Sequence, residues 1–256
     1  MGKEILGSFE LNKVYKMDCL DGMKLLPAKS IDMILCDLPY GTTACKWDTI
    51  IPLDKLWEQY KRIIKDNGVI VLTACQPFTS KLIYSNINMF KYCWIWQKPQ
   101  GVDPFMAKKR PLNNYEDVCV FYKKQPNYDP QFSEGKPYKI ERDKNPRKYE
   151  ITDTIMKPTT TVNEGKRYPT RIIKFNQERG YHPTQKPVEL FEYLIKTYTK
   201  EGEIVLDNCL GSGTTAIAST NLKRKWIGFE TESEYIKIVN KRLDSIQLED
   251  DLEAYK

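Results

Sequence analysis

The feature that most constrains the fold is a nearly uninterrupted apolar run that ends in an acid. Residues 31–36 are apolar apart from Asp32, and Asp37 follows them directly. A strand covered on one face alternates apolar and polar side chains, whereas a parallel strand covered on both faces is apolar throughout. The sequence therefore predicts a buried parallel strand with Asp37 just past its carboxyl end, where open α/β sheets place their active sites.

Short apolar segments alternate with amphipathic ones along most of the chain. A turn at Asp66-Asn67-Gly68 is expected to end the second helix. The alternation predicts an α/β fold with an open, mostly parallel sheet and helices on both faces. The predicted strands are 14–18, 31–36, 69–73, 92–97, 117–122, 203–207 and 226–229, and the predicted helices are 20–26, 53–65, 77–87, 187–198, 214–221 and 232–243.

One region departs from this alternation. Residues 123–180 hold six of the fifteen prolines, and their fourteen Lys/Arg against eight Asp/Glu give an excess of +6, the net charge of the whole chain. We interpret this region as an irregular basic insertion on the surface. The chain then divides into segments 1–122, 123–180 and 181–256.

Composition excludes several classes of site. The seven cysteines are odd in number and include no Cys-x-x-Cys pair, and His182 is the only histidine. The cysteine pattern argues against a disulfide framework and against structural zinc, and it favours a reducing compartment such as the cytoplasm. The single histidine argues against other metal sites and against Ser-His-Asp hydrolysis. No run has the length of a membrane span, and the first residues lack the apolar core of a signal peptide, so we expect no membrane association.

A glycine loop indicates a nucleotide-like ligand. Gly211-Ser212-Gly213 joins a predicted strand to a helix that opens at Thr214, and Glu230 ends the next strand. Such a loop brings backbone N–H groups close to an anion, and an acid at that place accepts hydrogen bonds from ribose hydroxyls. The loop lacks the lysine of a P-loop and the third glycine of the dinucleotide fingerprint. S-adenosylmethionine, which has a ribose and a carboxylate but no pyrophosphate, fits the loop better than a nucleoside triphosphate or a dinucleotide. The alternative is that the loop is a plain strand-to-helix turn without a ligand.

The residues after the first strand suit an amino group. The Asp37 carboxylate can accept a hydrogen bond from an NH₂ group, Pro39 can aim the Leu38 carbonyl as a second acceptor, and Tyr40 offers a flat face for stacking. Two acceptors would turn the nitrogen lone pair towards an electrophilic methyl group, so that positioning drives in-line transfer. A turn built from Asp-x-Pro and Tyr-Gly is the alternative.

Taken together, these stretches resemble the β class of amino-methylating DNA methyltransferases. The catalytic tetrapeptide of that family is Asp/Asn/Ser-Pro-Pro-Tyr/Phe/Trp, and Leu38 here replaces its first proline, where the family contact is a main-chain carbonyl. The segment 206–215 is similar to the family's cofactor loop and departs from it at Asn208 and Cys209. Segments 17–20, 114–118 and 181–187 resemble further family segments, so the resemblance covers most of the chain outside 123 to about 167.

The resemblance implies a seven-stranded, Rossmann-like methyltransferase sheet with S-adenosylmethionine as cofactor. The target-base half would be N-terminal, the cofactor half C-terminal, and the insertion between them would recognise the target. The implied catalytic residues are Asp37, Leu38, Pro39 and Tyr40. The implied cofactor-binding residues are Asp18, Cys19, His182, Thr184, Lys186, Asp207, Cys209, Gly211, Ser212, Gly213, Thr214 and Glu230.

The expected substrate is double-stranded DNA, whose target base must leave the stack before its amine is reached. The basic cluster Lys108, Lys109 and Arg110 is expected to contact phosphates, and residues 45–47 either line the base pocket or pack. An acid at the first tetrapeptide position favours adenine N6 over cytosine N4, which stays an alternative. Two further functions stay open as alternatives. The chain could be an RNA or protein-amide methyltransferase, or a catalytically inactive DNA-binding protein. The family resemblance makes a homodimer plausible, in a bacterial or virus-infected bacterial cell.

Overall fold

The helices of the protein follow the predicted alternation. The fold is taken from a computed structural model that describes residues 3–42, 48–102, 104–141, 147–149, 154–156, 159–178, 180–181 and 185–254. The α-helices within these ranges are α1 (Cys19–Leu25), α2 (Leu53–Ile63), α3 (Phe78–Ser85), α4 (Val188–Tyr198), α5 (Thr214–Asn221) and α6 (Ser233–Ala254). No helix in the described part of the chain is both long and apolar enough to cross a lipid bilayer.

A central sheet of eight strands organises the larger part of the chain. Its order is β6-β4-β5-β3-β2-β7-β8-β1, and every neighbouring pair is parallel except the two pairs that include β5. The strands are β1 (Lys13–Lys16), β2 (Ile31–Asp37), β3 (Ile64–Ala74), β4 (Phe90–Val102), β5 (Asn113–Tyr122), β6 (Ile172–Lys174), β7 (Ile204–Asp207) and β8 (Lys225–Glu230).

Alternate residues of the central strands belong to two separate hydrophobic cores, one on each face of the sheet. In β2, Ile34 and Cys36 pack with helices α1, α2 and α3 on one face, and Met33 and Leu35 pack with α4 and α5 on the other. All four side chains are fully buried. This two-sided burial explains the continuous apolar run, and it confirms the predicted α/β fold with a mostly parallel sheet and helices on both faces.

The sheet differs from the prediction at one edge. Seven strands were expected, and the eighth, β6, pairs with β4 through Ile172, Ile173 and Lys174. These residues lie inside the predicted insertion. Because the strand has only three residues and lies in a basic stretch, the sequence offers neither a long apolar run nor a clear alternation to mark it.

The chain divides into two compact units, residues 1–129 with 171–256 and residues 130–170. The smaller unit contains antiparallel strand pairs where the sequence predicted irregular structure. These pairs are Ser133–Glu134 with Lys166–Arg167, Tyr138–Glu141 with Thr160–Asn163, and Arg147–Tyr149 with Thr154–Met156. The larger unit also holds a small pair, Ile5–Leu6 with Phe9–Glu10.

The predicted turn at residues 66–68 has a different role from the one expected. Helix α2 ends at Ile63 and β3 begins at Ile64. The register with β2 then jumps from Ile31–Ile64 to Met33–Val69, so residues 66–68 form a bulge inside the strand. A Cβ atom on Gly68 would lie 2.8 Å from the carbonyl oxygen of Asp32, which explains why the bulge needs glycine.

Candidate active site

The carboxyl ends of four parallel strands meet at one edge of the sheet and surround a cavity. Asp37, Asp207 and Glu230 end β2, β7 and β8, and Asp18 lies shortly after β1. The cavity has a volume of about 250 Å³. Most of the sequence-predicted site residues line it, namely Asp18, Cys19, Asp37, Leu38, Pro39, Lys186, Asp207, Cys209, Gly211, Ser212, Thr214 and Glu230.

The carboxylate of Asp37 is held by three donors. Its Oδ1 accepts hydrogen bonds from the hydroxyl of Tyr40 at 2.6 Å and from the hydroxyl of Thr73. Its Oδ2 accepts one from the ammonium of Lys186 at 2.7 Å. An ionised carboxylate has about four lone-pair sites. The donors of the described residues occupy three, so one site on Oδ2 remains for an amino group.

The ring of Tyr40 is fixed from two directions. It stacks on Phe78 with ring centroids 5.3 Å apart and an interplanar angle of 25°, and its hydroxyl is bound to Asp37. Burial, followed by the nearby charges of Asp37 and Glu116, raises the pKa of Tyr40 well above its ordinary value. The hydroxyl therefore keeps its proton and donates to the carboxylate, and one ring face is already covered.

A line of alternating charges connects Asp37, through Lys186 and Glu116, to Lys98. The Lys186 ammonium also lies 3.3 Å from Oε2 of Glu116, whose Oε1 lies 2.6 Å from the ammonium of Lys98. Lys98, Glu116 and Lys186 are all buried. Burial alone would lower the pKa of Lys186, but Asp37 and Glu116 more than offset this and raise it. Lys186 is thus a buried cation whose ammonium faces the carboxylate of Asp37.

Sequence reasoning did not give Lys98 or Glu116 a role. Lys98 follows the aromatic stretch of β4, and Glu116 precedes the apolar stretch of β5. A charged residue within a strand that is otherwise apolar was the available signal, because an unpaired charge there would be costly. The sequence could not show that the two side chains meet.

The carboxylate of Glu230, like that of Asp37, accepts hydrogen bonds from three donors. Its Oε2 accepts a hydrogen bond from the backbone N–H of Gly211 at 2.8 Å. Its Oε1 accepts from the N–H groups of Thr231 at 2.7 Å and Glu232 at 2.8 Å. Three of its four lone-pair sites are therefore used, and one on Oε2 is left for a hydroxyl group. The N–H of Gly211 is consumed by this contact and is not presented to a ligand.

The two loop glycines have different functions. Gly211 has φ +52°, and a Cβ atom there would meet only the Cys209 carbonyl oxygen at 4.0 Å, so it leaves the cavity wall open. Gly213 has φ +86°, and its Cβ would lie 2.9 Å from the side chain of Val239 in α6. Gly213 thus permits close packing of α5 against α6. It is not among the residues that line the cavity, and its cofactor contact stays a prediction.

Other predicted residues shape the cavity from within. Buried Asp207 accepts hydrogen bonds from the hydroxyl of Thr215 at 2.5 Å and the N–H of Cys209 at 3.0 Å, and burial raises its pKa to about 6. Asp18 caps α1 by accepting from the N–H of Leu20 at 2.8 Å. The hydroxyl of Thr214 donates to the Lys186 carbonyl at 3.1 Å, which ties α5 to the cation of the site.

The departure from the family loop at Asn208 has a structural partner. Asn208 Oδ1 accepts a hydrogen bond from the hydroxyl of Tyr60 in α2 at 2.5 Å, and both side chains are buried. The glycine loop is therefore anchored to helix α2. This contact joins residues 148 positions apart, so no local pattern could have indicated it.

The remaining predicted residues are a basic cluster and several residues that the structure does not describe. Lys108, Lys109 and Arg110 are exposed on the connection between β4 and β5 and do not line the cavity. His182, Thr184 and residues 45–47 lie outside the described residues.

Comparison with known proteins decides the family. The profile of the N6/N4 DNA methylase family matches residues 31–241. The chain belongs to this DNA methylase family. It is 30% identical to the DNA adenine methyltransferase YhdJ of Escherichia coli K12, over 92% of this chain and 83% of that protein. It is 29% identical to the type II methyltransferase M.HpaI of Haemophilus parainfluenzae, over 89% and 73% of the respective chains.

A solved structure supports the same conclusion. The methylase resembles the M1.HpyAVI–SAM complex with a TM-score of 0.61 and 25% identity, covering 90% of this chain and 98% of the other. The methylase is thus an S-adenosylmethionine-dependent transferase. Its cavity fits this cofactor: Glu230 offers a hydroxyl acceptor, Gly211 leaves room at the wall, and Asp37 stands on the same cavity.

Proposed function

We propose that this methylase transfers a methyl group from S-adenosylmethionine to the N6 amine of adenine within a specific sequence of double-stranded DNA. The observation that carries the proposal is the single acceptor site left on Oδ2 of Asp37, at the edge of the cavity. The similarity to a relative named DNA adenine methyltransferase supports adenine as the base.

The chemistry follows from where the acceptors stand. Oδ2 of Asp37 and the carbonyl of Leu38 each accept one N–H of the target amine, which turns the nitrogen lone pair out of the ring plane. The bound cofactor supplies a methyl group on a positively charged sulfur. As the nitrogen becomes positive during transfer, the Asp37 carboxylate stabilises it. The extra proton then passes from the nitrogen to Oδ2 of Asp37.

The base and the cofactor approach from opposite halves of the sheet. We assign the ribose hydroxyls to Oε2 of Glu230 and the surrounding contacts to Ser212 and Thr214, all of which line the cavity. Tyr40 would hold the displaced base, with Phe78 supporting its other face. Asp207 and Asn208 keep the cofactor loop in shape and need not touch the ligand.

Product analysis tests the proposal. The protein is incubated with S-adenosylmethionine carrying a trideuterated methyl group and with genomic DNA from cells that lack DNA methyltransferases, and the nucleosides are identified by mass spectrometry. The expected product is deuterated N6-methyladenine, and an Asp37→Ala variant, which has no side-chain acceptor, should yield little or none. Deuterated N4-methylcytosine would keep the mechanism and replace the base. No deuterated nucleoside would overturn the proposal.

A further inference from the structure

Strands β4 and β5 continue as a two-stranded ribbon beyond the edge of the sheet that carries the site. The ribbon pairs Gln97 with Tyr115 and, after a bulge, Val102 with Asn113. Glu116, which contacts Lys186, lies at the base of this ribbon. Because an antiparallel strand rises about 3.4 Å per residue, Asn113 lies roughly 10 Å further out than Glu116. The ribbon therefore extends from the active-site edge of the sheet.

The tip of the ribbon holds an aromatic side chain in water. Residues Pro104–Met106 form a 3-10 turn, and the N–H groups of Lys109 and Arg110 donate to the Met106 carbonyl at 2.8 and 3.0 Å. Phe105 in this turn is 95% exposed, more than any other large apolar side chain in the described part of the chain. A hydrogen-bonded turn thus presents a fully exposed ring.

The charges around this ring select the chemistry of its partner. Lys108, Lys109 and Arg110 follow it and are exposed. In the sequence of residues 103–115 these three cations stand against one acid, Asp103. The partner must therefore combine closely spaced negative charges with an apolar surface into which a ring can fit. A DNA duplex has both features, since phosphates flank a stack of base pairs, and apolar side chains are known to enter such stacks as wedges.

We propose that Phe105 enters the base stack of the duplex beside the target base and fills the space left when that base moves to the cavity. The three cations of the turn contact the flanking phosphates. Phe105 is then a positioning residue, because it acts on the equilibrium of base displacement and does not touch the reacting atoms. This inference rests on the proposed function, since it needs DNA as substrate.

The variants Phe105→Ala and Phe105→Trp test it, with Tyr84→Ala as matched control. Tyr84 is 85% exposed, but it lies near the end of α3, which runs back from the active-site edge. Each protein is assayed on a duplex carrying its mapped target sequence and on the same duplex with an abasic site opposite the target base. Methylation of both duplexes by the unaltered protein tests the proposed function separately.

An unpaired base is easier to displace, so the second duplex no longer needs a wedge. We expect Phe105→Ala to lower kcat/KM on the intact duplex by roughly tenfold or more, and by less than about twofold on the abasic-opposed duplex. Phe105→Trp and Tyr84→Ala should retain activity on both. Equal losses by Phe105→Ala on the two duplexes, or no loss on the intact one, would overturn the inference.

Discussion

The ammonium of Lys186 lies 2.7 Å from Oδ2 of Asp37, 149 positions earlier in the chain. The same ammonium contacts Glu116 at 3.3 Å. Two carboxylates from neighbouring parts of the sheet therefore share one buried cation. The contact joins the carboxyl end of β2 to the segment just before α4, so it links an early and a late part of the methylase chain.

Removing the shared cation should destabilise the protein. We expect Lys186→Met to lower the free energy of unfolding by about 3 kcal/mol, because Asp37 loses its closest positive partner. The loss of unfolding free energy caused by Lys186→Met should be smaller by about 1 kcal/mol or more when Asp37 is already replaced by Asn, because position 37 then carries no charge to leave unpaired. Urea unfolding of the four proteins measures both. Lys196→Met, at an exposed position of α4, is the control, with an expected change within about 0.5 kcal/mol. Additive effects of the two substitutions would contradict the pairing.

The hydroxyl and the ring of Tyr40 should contribute separately. Tyr40→Phe removes the hydrogen bond to Asp37 at 2.6 Å and keeps the ring, so we expect kcat to fall by about tenfold, equivalent to about 1.4 kcal/mol. Tyr40→Ala also removes the stacking surface and should cost a further tenfold or so in kcat/KM. Steady-state kinetics on a duplex substrate separates the two effects. Equal losses in both variants would show that the ring does not hold the base.

Glu230 should control cofactor affinity without controlling the chemical step. Glu230→Gln keeps one acceptor for the loop and weakens the acceptor left for a ribose hydroxyl. We expect the Kd for S-adenosylmethionine, measured by calorimetry, to rise by roughly 10- to 100-fold, which corresponds to about 1–3 kcal/mol. Glu234→Gln, exposed in the first turn of α6, is the control. An unchanged Kd for Glu230→Gln would place the ribose elsewhere.

Asp207 should make stability depend on pH in an unusual direction. Because burial raises the pKa of Asp207 from its ordinary value near 4 to about 6, ionising it costs free energy in the folded state. The proton on Asp207 thus stabilises the fold below about pH 4, and this contribution is lost as the pH rises through 6. Relative to Asp207→Asn, the native protein should lose up to about 3 kcal/mol between pH 4 and 7. Urea unfolding of both proteins at several pH values measures the difference, and a constant difference would contradict the raised pKa.

Local patterns predicted the fold well where a segment is buried on defined faces. The continuous apolar run before Asp37 is a strand covered on both sides, and the helix over Thr214–Asn221 has the expected bounds. The predicted turn at residues 66–68 was wrong. These turn-forming residues produce a bulge, because β3 pairs with β2 from Ile64 onward. Pairing between strands overrode the local preference of the turn.

The site was predictable to the extent that it is carried by short segments. The first three residues of the tetrapeptide (37–39), Gly211 in its loop and the acid Glu230 all line one cavity. The charge line through Glu116 and Lys98 was not predictable, because its contacts join residues far apart in the chain. The packing of Gly213 against Val239 was not predictable either, since a glycine that permits close packing has the same sequence signature as one that contacts a ligand.

We propose that Asp37 orients the target amine while the loops after β7 and β8 hold the cofactor. We would measure, for Asp37→Ala, the single-turnover rate of methyl transfer to the mapped duplex and the Kd for S-adenosylmethionine. We expect the rate to fall by roughly 100-fold or more, because a charged acceptor is lost where positive charge develops, while the Kd stays within about twofold, since Glu230 and its loop are untouched. A near-native rate, or a Kd that rises in step with the loss of rate, would contradict the account.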